Sequence, residues 1–510
     1  MRGNAHFTMK SQKTVRAVAG ILLCAAGTWL AFPKAYSEKT YLIPAGACRL
    51  ETTIFEEKDG RVQGTVILFP GIAANKKIMA FLAHGFAEQG LRVYVPDLPG
   101  HGHSPGPFSP DGAEECGAAL VSGLIARGMA NPDRTIVAGH SMGGAIALRV
   151  GARIPVAGVV AISPAPMRSA HGVQPEMLLF QDPGPLPERF VVLSGSLEPE
   201  SMRGNVADLV SSVKRSGASY IVIRGATHVS LLFSREVVRS LQEWTGQTLH
   251  LTGAWGMPSL RPDYGGLIGF LGLLLLANPF LREATQRKQK MEEAEMGNSA
   301  PWSLLLVGFA AGAMLALFSL RLWNPLRAIH LFEGDYLAGF LLILGIVLVL
   351  LHWKSVQELF SRSRTGLLGA TFAALILFLL FSAWMELSLY EAWLTPAKWL
   401  RFPFLFAALL PYHFAEEICL RPAAGKSGGQ RLAAGMLLRL LAWGALALGV
   451  FFLHSGEILM VLLGPYFAVL FLLQRRGMDI VRQETGSAGA AAVFGAILLT
   501  GFCLVIFPVT

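Results

Sequence analysis

A mainly parallel α/β domain with its sheet covered on both faces, followed by an all-α polytopic transmembrane domain, is the fold class this sequence predicts. Three observations carry it. Between residues 41 and 250, short β-branched and apolar runs alternate with helical segments, the pattern of parallel strands joined by crossover helices. From about residue 255 onward, apolar spans of membrane-crossing length follow one another, separated by short charged loops. The composition agrees: 53% of the 510 residues are hydrophobic, 15% are charged and the mean hydropathy is +0.49, too apolar for a chain soluble throughout.

The first segment carries Arg2, Lys10, Lys13 and Arg16 without an acidic residue, and an apolar run spans 17–32. These are the charged and hydrophobic regions of a secretory signal. Proline at position 33 spoils a small-x-small cleavage site, so residues 1–40 are expected to form an uncleaved signal anchor, with a cleaved signal peptide as the alternative. Either outcome exports the domain that follows.

Within 41–250, strands are expected at 50–57, 64–69, 92–95 and 135–138, and three further buried strands at 156–162, 189–193 and 219–223. Asp59-Gly60 reads as the turn between the first two. Helices are expected at 78–88, 114–129, 202–215 and 231–244, and the proline-rich stretch 167–188 has room only for a small lid.

The transmembrane domain, 251–510, is expected to hold about eight helices, near 264–281, 301–320, 336–351, 366–390, 402–419, 432–453, 457–473 and 487–508. Threaded from a cytoplasmic N-terminus, one set of loops holds Arg282, Arg287, Lys288 and Lys290, then Lys354, Arg362 and Arg364, then Arg421, Lys426 and Arg431, then Arg475, Arg476 and Arg482. The alternate loops hold fewer: Arg321 and Arg327, then Lys398 and Arg401. That asymmetry places the α/β domain outside the cytoplasm, and the expected location is a bacterial inner membrane with the α/β domain on the periplasmic side. The asymmetry also accounts for the net charge of +9, so nucleic acid is not an expected partner. The five cysteines show no metal-ligand spacing; Cys24, Cys419 and Cys503 lie in or beside apolar spans, and Cys48 and Cys116 pair only if the fold brings them together. No cofactor or metal is expected.

The stretch Val137-Ala-Gly-His-Ser-Met-Gly-Gly-Ala145 reads as a strand turning sharply into a helix with Ser141 at its apex. Gly139, Gly143 and Gly144 supply the missing Cβ atoms that so tight a reversal needs. A serine hydroxyl is a poor nucleophile near neutral pH and needs a base, which in turn needs an acid to hold its tautomer. His228, between a strand and a helix late in the chain, is the expected base, and Glu198, at the end of the strand before it, the expected acid. Asp208 and Asp182 are the rivals for that last role. Backbone N–H groups of Met142, just after the nucleophile, and Ile72, after Phe69-Pro-Gly71, are the candidate donors for an oxyanion.

In this order, Phe69-Pro-Gly-Ile72, Asp97-Leu-Pro-Gly-His-Gly-His-Ser104, Gly139-His-Ser-Met-Gly-Gly144, Gly195-Ser-Leu-Glu198 and Gly225-Ala-Thr-His228 resemble the α/β-hydrolase family, nearest its serine aminopeptidase and monoglyceride-lipase-like branch. The resemblance covers roughly residues 45–248. It implies a Ser141–His228–Glu198 triad, an oxyanion hole at Ile72 and Met142, and a structural loop holding Asp97, His101 and His103. Two positions depart from the family pattern: Pro70 stands where histidine is usual, and Glu198 where aspartate is commoner. The implied activity is cleavage of an ester, thioester or amide through an acyl-enzyme, with a small-molecule or lipid substrate favoured by the membrane setting. The sequence leaves the oligomeric state open.

In the transmembrane domain, His413, Glu416 and Glu417 close one apolar span, and charges at that depth are usually paired or functional. Glu416-Glu-Ile-Cys-Leu-Arg421 resembles the E-E-x-x-x-R motif of the CaaX-protease and bacteriocin-processing family, with His454 downstream. Val450 replaces that family's phenylalanine, and no H-x-x-x-N element follows. Arg439 is expected to snorkel to an interface. Two alternatives to the hydrolase therefore stand: an intramembrane protease using Glu416 and Glu417, and a transporter or channel with the exported domain as a non-catalytic binding module.

Overall fold

A computed structural model describes residues 2–32, 36–58, 61–167, 178–180, 184–211, 217–285, 302–362, 366–420, 428–453 and 456–510. Asp59-Gly60, Asp182, Arg421 and His454, and most of the stretch 167–188, lie outside the described residues. The chain divides into two compact units, one made of Trp29–Gly266, Met385–Ala392 and Pro508–Thr510, the other of Met1–Thr28, Leu267–Trp384 and Trp393–Phe507.

The chain opens with helix α1 (Arg2–Ala31). The α/β unit then contributes eight strands, β1 (Ser37–Ala45), β2 (Cys48–Glu56), β3 (Gly64–Phe69), β4 (Leu91–Pro96), β5 (Thr135–His140), β6 (Gly158–Ile162), β7 (Phe190–Gly195) and β8 (Ala218–Ile223), in one sheet of order β1-β2-β4-β3-β5-β6-β7-β8. From β4 to β8 every pairing is parallel; β1 and β2 join antiparallel at one side. Its helices are α2 (Ala80–Ala87), α3 (Pro110–Ala126), α4 (Met142–Arg153), α5 (Glu200–Ser211) and α6 (Arg235–Leu249).

Burial explains why these runs are strands. Every residue of β3, β5, β6 and β7 is buried, as continuous apolar runs must be when helices cover both faces. On one face Leu82 and Phe86 of α2 and Val238 and Leu241 of α6 pack against Val66, Val93 and Ile136. The expectation that 219–223 is a buried strand needs correction: β8 is the outermost strand, only Ile223 in it is buried, and Val222 is 46% exposed. The unforeseen β1 is the opposite edge, with Tyr41 and Leu42 exposed and Pro44 near its end, where an unpaired N–H side tolerates proline.

Cys48, at the start of β2, and Cys116, in α3, form a disulfide with a Cα–Cα separation of 5.8 Å. It closes a loop of sequence separation 68, which constrains the unfolded chain by about 4 kcal/mol. Replacing Cys116 with alanine is expected to destabilise the α/β unit by about 2–4 kcal/mol. Unfolding followed with and without reductant checks this; equal stability in both would show the bridge contributes nothing.

The second unit is helical: α7 (Arg261–Thr285), α8 (Trp302–Leu322), α9 (Gly334–Leu351), α10 (Trp353–Arg362), α11 (Leu367–Ser388), α12 (Pro396–Cys419), α13 (Gly428–Leu453), α14 (Ile458–Leu462), α15 (Gly464–Thr485) and α16 (Ala488–Ile506), some of which end in the first unit. Among the described residues seven helices are long and apolar enough to cross a membrane: α7, α8, α9, α11, α13, α16 and, near the N-terminus, Thr14–Ala31. This is the make-up of a membrane domain.

The helices α12 and α15 fall outside that set, and their charged residues meet those of α13. The Arg439 guanidinium donates Nε to Glu416 Oε1 at 2.8 Å and Nη2 to Oε2 at 2.9 Å. The Arg431 Nη2 reaches Glu417 Oε2 at 2.7 Å and its Nε reaches Asp479 Oδ1 at 2.9 Å. A third arginine, Arg475, donates Nη2 to Glu417 at 2.5 Å and to Asp479 at 2.7 Å. Arg439 therefore does not snorkel. It is 1% exposed and spends its remaining donors on Phe471 O, Gln474 Oε1 and Met478 Sδ. A bidentate partner in the protein interior removes the drive to reach an interface.

Candidate active site

The parallel sheet brings the C-terminal ends of β5, β6, β7 and the loop after β8 to one edge. At the end of β5 the chain reverses into α4 through Ser141, whose φ of 55° and ψ of −121° lie outside the usual regions for a side-chain-bearing residue. The glycines flanking it are steric necessities. A Cβ on Gly139 would stand 2.1 Å from Gly143 O, and one on Gly143 would stand 2.2 Å from Phe69 O. The strain is held by backbone bonds from Ser141 N–H to Ile162 O and from Ala165 N–H to Ser141 O, both 2.9 Å.

Gly71 lies against the nucleophile turn: a Cβ there would come within 3.0 Å of Ser141 Cβ. This sets the Phe69–Ile72 loop beside Ser141. On the other side Met142 is the first residue of α4, where helix amides have no intrahelical acceptor. Both sequence-predicted oxyanion donors are thus carried by segments that adjoin the serine.

Glu198 and His228 meet. The His228 Nδ1 lies 2.8 Å from Glu198 Oε1, and Glu198 Oε2 accepts the Gly195 N–H at 2.8 Å. The approach depends on Gly195, whose absent Cβ leaves room for Ala226 O, 2.2 Å from where it would be. Leu197 N–H then donates to that carbonyl at 3.0 Å, tying the loop that carries the acid to the loop that carries the histidine. The rival Asp208 lies on α5, while the side-chain partners of the His228 Nδ1 among the described residues are Glu198 and Ser163.

Two neighbours escaped sequence reasoning. His140 Nε2 donates to the His228 carbonyl at 2.9 Å, with the two rings 4.7 Å apart. Burial, and then the nearby His228, pulls His140 down to about 3, so it is neutral and its one N–H serves that carbonyl. Ser163, directly after β6, donates its hydroxyl to Glu198 Oε1 and stands 2.9 Å from His228 Nδ1. Ser141 Oγ is in a residue 8% exposed and makes no hydrogen bond among the described residues.

The loop after β4 is a scaffold. Asp97 accepts the Lys76 N–H at 2.8 Å, the Lys76 ammonium at 2.5 Å and the His103 N–H at 3.2 Å, while Ser104 Oγ donates to Asp97 O at 2.7 Å. The ring of His101 turns to Pro99 O, 3.0 Å away. Beside this loop is a polar cavity of about 240 Å³ lined by Glu51, Lys76, Lys77, His103, Glu386 and Glu391. Burial and then Asp97 push the Glu391 carboxyl up to about 9. Donor atoms of Glu51, His103 and Glu391 lie within 4.8 Å of one another, a spacing that suits a cation, and the Lys76 ammonium fills that role, pairing with Glu391 and lying 3.5 Å from Glu51.

In the helical unit the candidates Glu416 and Glu417 are ion-paired as described, and His413 Nδ1 lies 3.6 Å from Glu416 Oε2. Arg421 and His454 are outside the described residues.

Residues 66–296 match the family model described as the α/β hydrolase family. Among solved structures the chain is similar to an α/β serine hydrolase homologue from Coxiella burnetii, with 21% identity, 41% of this chain and 97% of that one covered and a TM-score of 0.34. A monoacylglycerol lipase from Paleococcus ferrophilus gives 19%, 39%, 99% and 0.31 on the same measures, and an esterase from Pyrobaculum calidifontis 17%, 47%, 92% and 0.35. A curated relative, antigen peptide transporter 2 of Homo sapiens, is 40% identical over 90 residues, 16% of this chain, and the match spans only 12% of that protein's length. The sheet order, the strained serine turn and the family match give one conclusion: this chain carries a hydrolase domain of the α/β-hydrolase type.

Proposed function

We propose that the chain is a membrane-anchored serine hydrolase that cleaves an ester, thioester or amide bond through an acyl-enzyme, with Ser141 as nucleophile, His228 as base and Glu198 as acid. The observation that carries this reading is the His228 Nδ1–Glu198 Oε1 bond of 2.8 Å at the sheet edge that also presents Ser141 on its strained turn. With its proton held at Nδ1, the imidazole offers the Nε2 lone pair to the Ser141 hydroxyl. As Ser141 Oγ bonds to the substrate carbonyl carbon, Nε2 takes the hydroxyl proton and the carbonyl π electrons move to oxygen, where N–H groups of Ile72 and Met142 receive them. Collapse expels the leaving group with that proton; water then repeats the cycle and frees the acid. The Ser141 hydroxyl, without a hydrogen bond among the described residues, forms its bond to Nε2 as substrate binds, since catalytic bonds commonly close only in the substrate complex.

A lipid or other acyl substrate is favoured because apolar helices anchor the chain where acyl chains are concentrated. The Cys48–Cys116 bridge supports an oxidising, extracytoplasmic location for the α/β unit, in agreement with the charge asymmetry of the loops. Together these favour a bacterial inner membrane with the hydrolase domain on the periplasmic side.

Full-length protein in native membranes is expected to react with a fluorophosphonate probe, and a panel of lipid and short-chain esters to compete with that labelling. Labelling that persists in Ser141→Ala, or none in the wild type, would sink the reading.

A further inference from the structure

We infer that Ser163 is a positioning residue for the proposed hydrolase reaction, a fourth member that holds the Glu198–His228 pair in register. The inference rests on the serine-hydrolase reading above and extends it to a residue that the triad itself does not require.

The backbone brings Ser163 there at a cost. It is the first residue past β6, its N–H continues the sheet edge by donating to Leu193 O, and its φ is +42°, a left-handed value for a residue with a side chain. It also precedes Pro164, which further restricts its conformation. Glycine would take that conformation freely, and strain of this kind persists where surrounding structure or function demands it. What the serine adds over glycine is a Cβ bearing one hydroxyl, in a residue 1% exposed.

That hydroxyl has two partners, and both belong to the triad. Its hydrogen goes to Glu198 Oε1, the same oxygen that faces His228 Nδ1. Its lone pairs face Nδ1 itself at 2.9 Å, so the Nδ1–H is shared between Glu198 and Ser163. The carboxylate is then fixed at three points: Oε1 by Ser163 and by His228, and Oε2 by the Gly195 N–H. The longer glutamate, in place of the commoner aspartate, has one more rotatable bond to restrain, and Ser163 supplies that restraint. When His228 takes the Ser141 proton, a second oxygen already faces the ring at the nitrogen away from the nucleophile. The His140 bond to the His228 carbonyl holds the same loop through its backbone.

A hydrogen bond to a charged group is worth about 1.5–3 kcal/mol, and where that strength is realised as the imidazolium forms it corresponds to about ten- to a hundredfold in rate. The test compares wild type, Ser163→Ala, Ser163→Gly and Ser141→Ala as full-length detergent-solubilised proteins, with p-nitrophenyl butyrate as substrate and thermal unfolding measured in parallel. For both Ser163 variants, kcat is expected to fall about ten- to a hundredfold with KM unchanged. Ser163→Gly, relieved of the left-handed strain, is expected to lose less thermal stability than Ser163→Ala. Ser141-dependent turnover that survives within twofold in Ser163→Gly overturns this proposal alone, as does a loss that merely tracks lost thermal stability. Wild-type protein with no Ser141-dependent turnover overturns the hydrolase reading and this proposal with it.

Discussion

Ser141→Ala is expected to lower ester turnover by about 10⁴-fold or more while the protein remains folded. The alanine keeps the Cβ that the turn already accommodates and removes only the oxygen that forms the new covalent bond. The neighbouring Ser163 does not replace it, since its hydroxyl is committed to Glu198 and His228. His228→Ala should fall to a similar level, and the double variant little further, because the two groups act as one unit. Glu198→Gln should cost less than either, since Ser163 and the bond from His140 still hold the ring and its loop. Initial rates with a chromogenic ester, normalised to folded protein, check the series. Equal rates in Ser141→Ala and wild type would place the chemistry elsewhere.

The second large effect is expected in the helical unit. Arg439→Met leaves Glu416, 2% exposed, without its bidentate partner, and breaking a buried ion pair from one side typically costs about 3–5 kcal/mol. Replacing both partners, Glu416→Gln with Arg439→Met, should recover much of that loss, because the penalty comes from a buried charge left, among arginines, with only the longer 3.5 Å contact to Arg475. Thermal loss of monodispersity in detergent measures it. Equal stability of Arg439→Met and wild type would mean that the pair does not bind α12 to α13. The same pairing bears on intramembrane proteolysis: the Glu416 and Glu417 oxygens already accept from Arg439, Arg431 and Arg475, so neither is poised to activate water.

How much of this could be read from residues alone depended on whether the signal was local. The nucleophile turn is local, with glycines at fixed offsets from Ser141, and so is the β3 run 64–69, whose every residue is buried. The pairing of Cys48 with Cys116 is not, and no spacing rule joins them. Nor does the sequence link 385–392 to the α/β unit, where Glu391 balances Lys76. Strand β1 was hidden because an edge strand needs no buried face, and its exposed Tyr41 and Leu42 break the alternation. Ser163 carried no signal at all. A serine between a strand and a proline is an ordinary turn until the fold sets it against Glu198 and His228. His140 was in plain view beside Ser141, yet its partner is a backbone carbonyl far along the chain.

The most direct measurement is to locate a covalent adduct. After the full-length protein reacts with a fluorophosphonate and is digested with trypsin, the peptide from Thr135 to Arg149, which contains one serine, should carry the phosphonyl mass on Ser141. An adduct confined to another peptide, or an unmodified Thr135–Arg149 peptide in protein whose turnover the probe has abolished, would contradict the account.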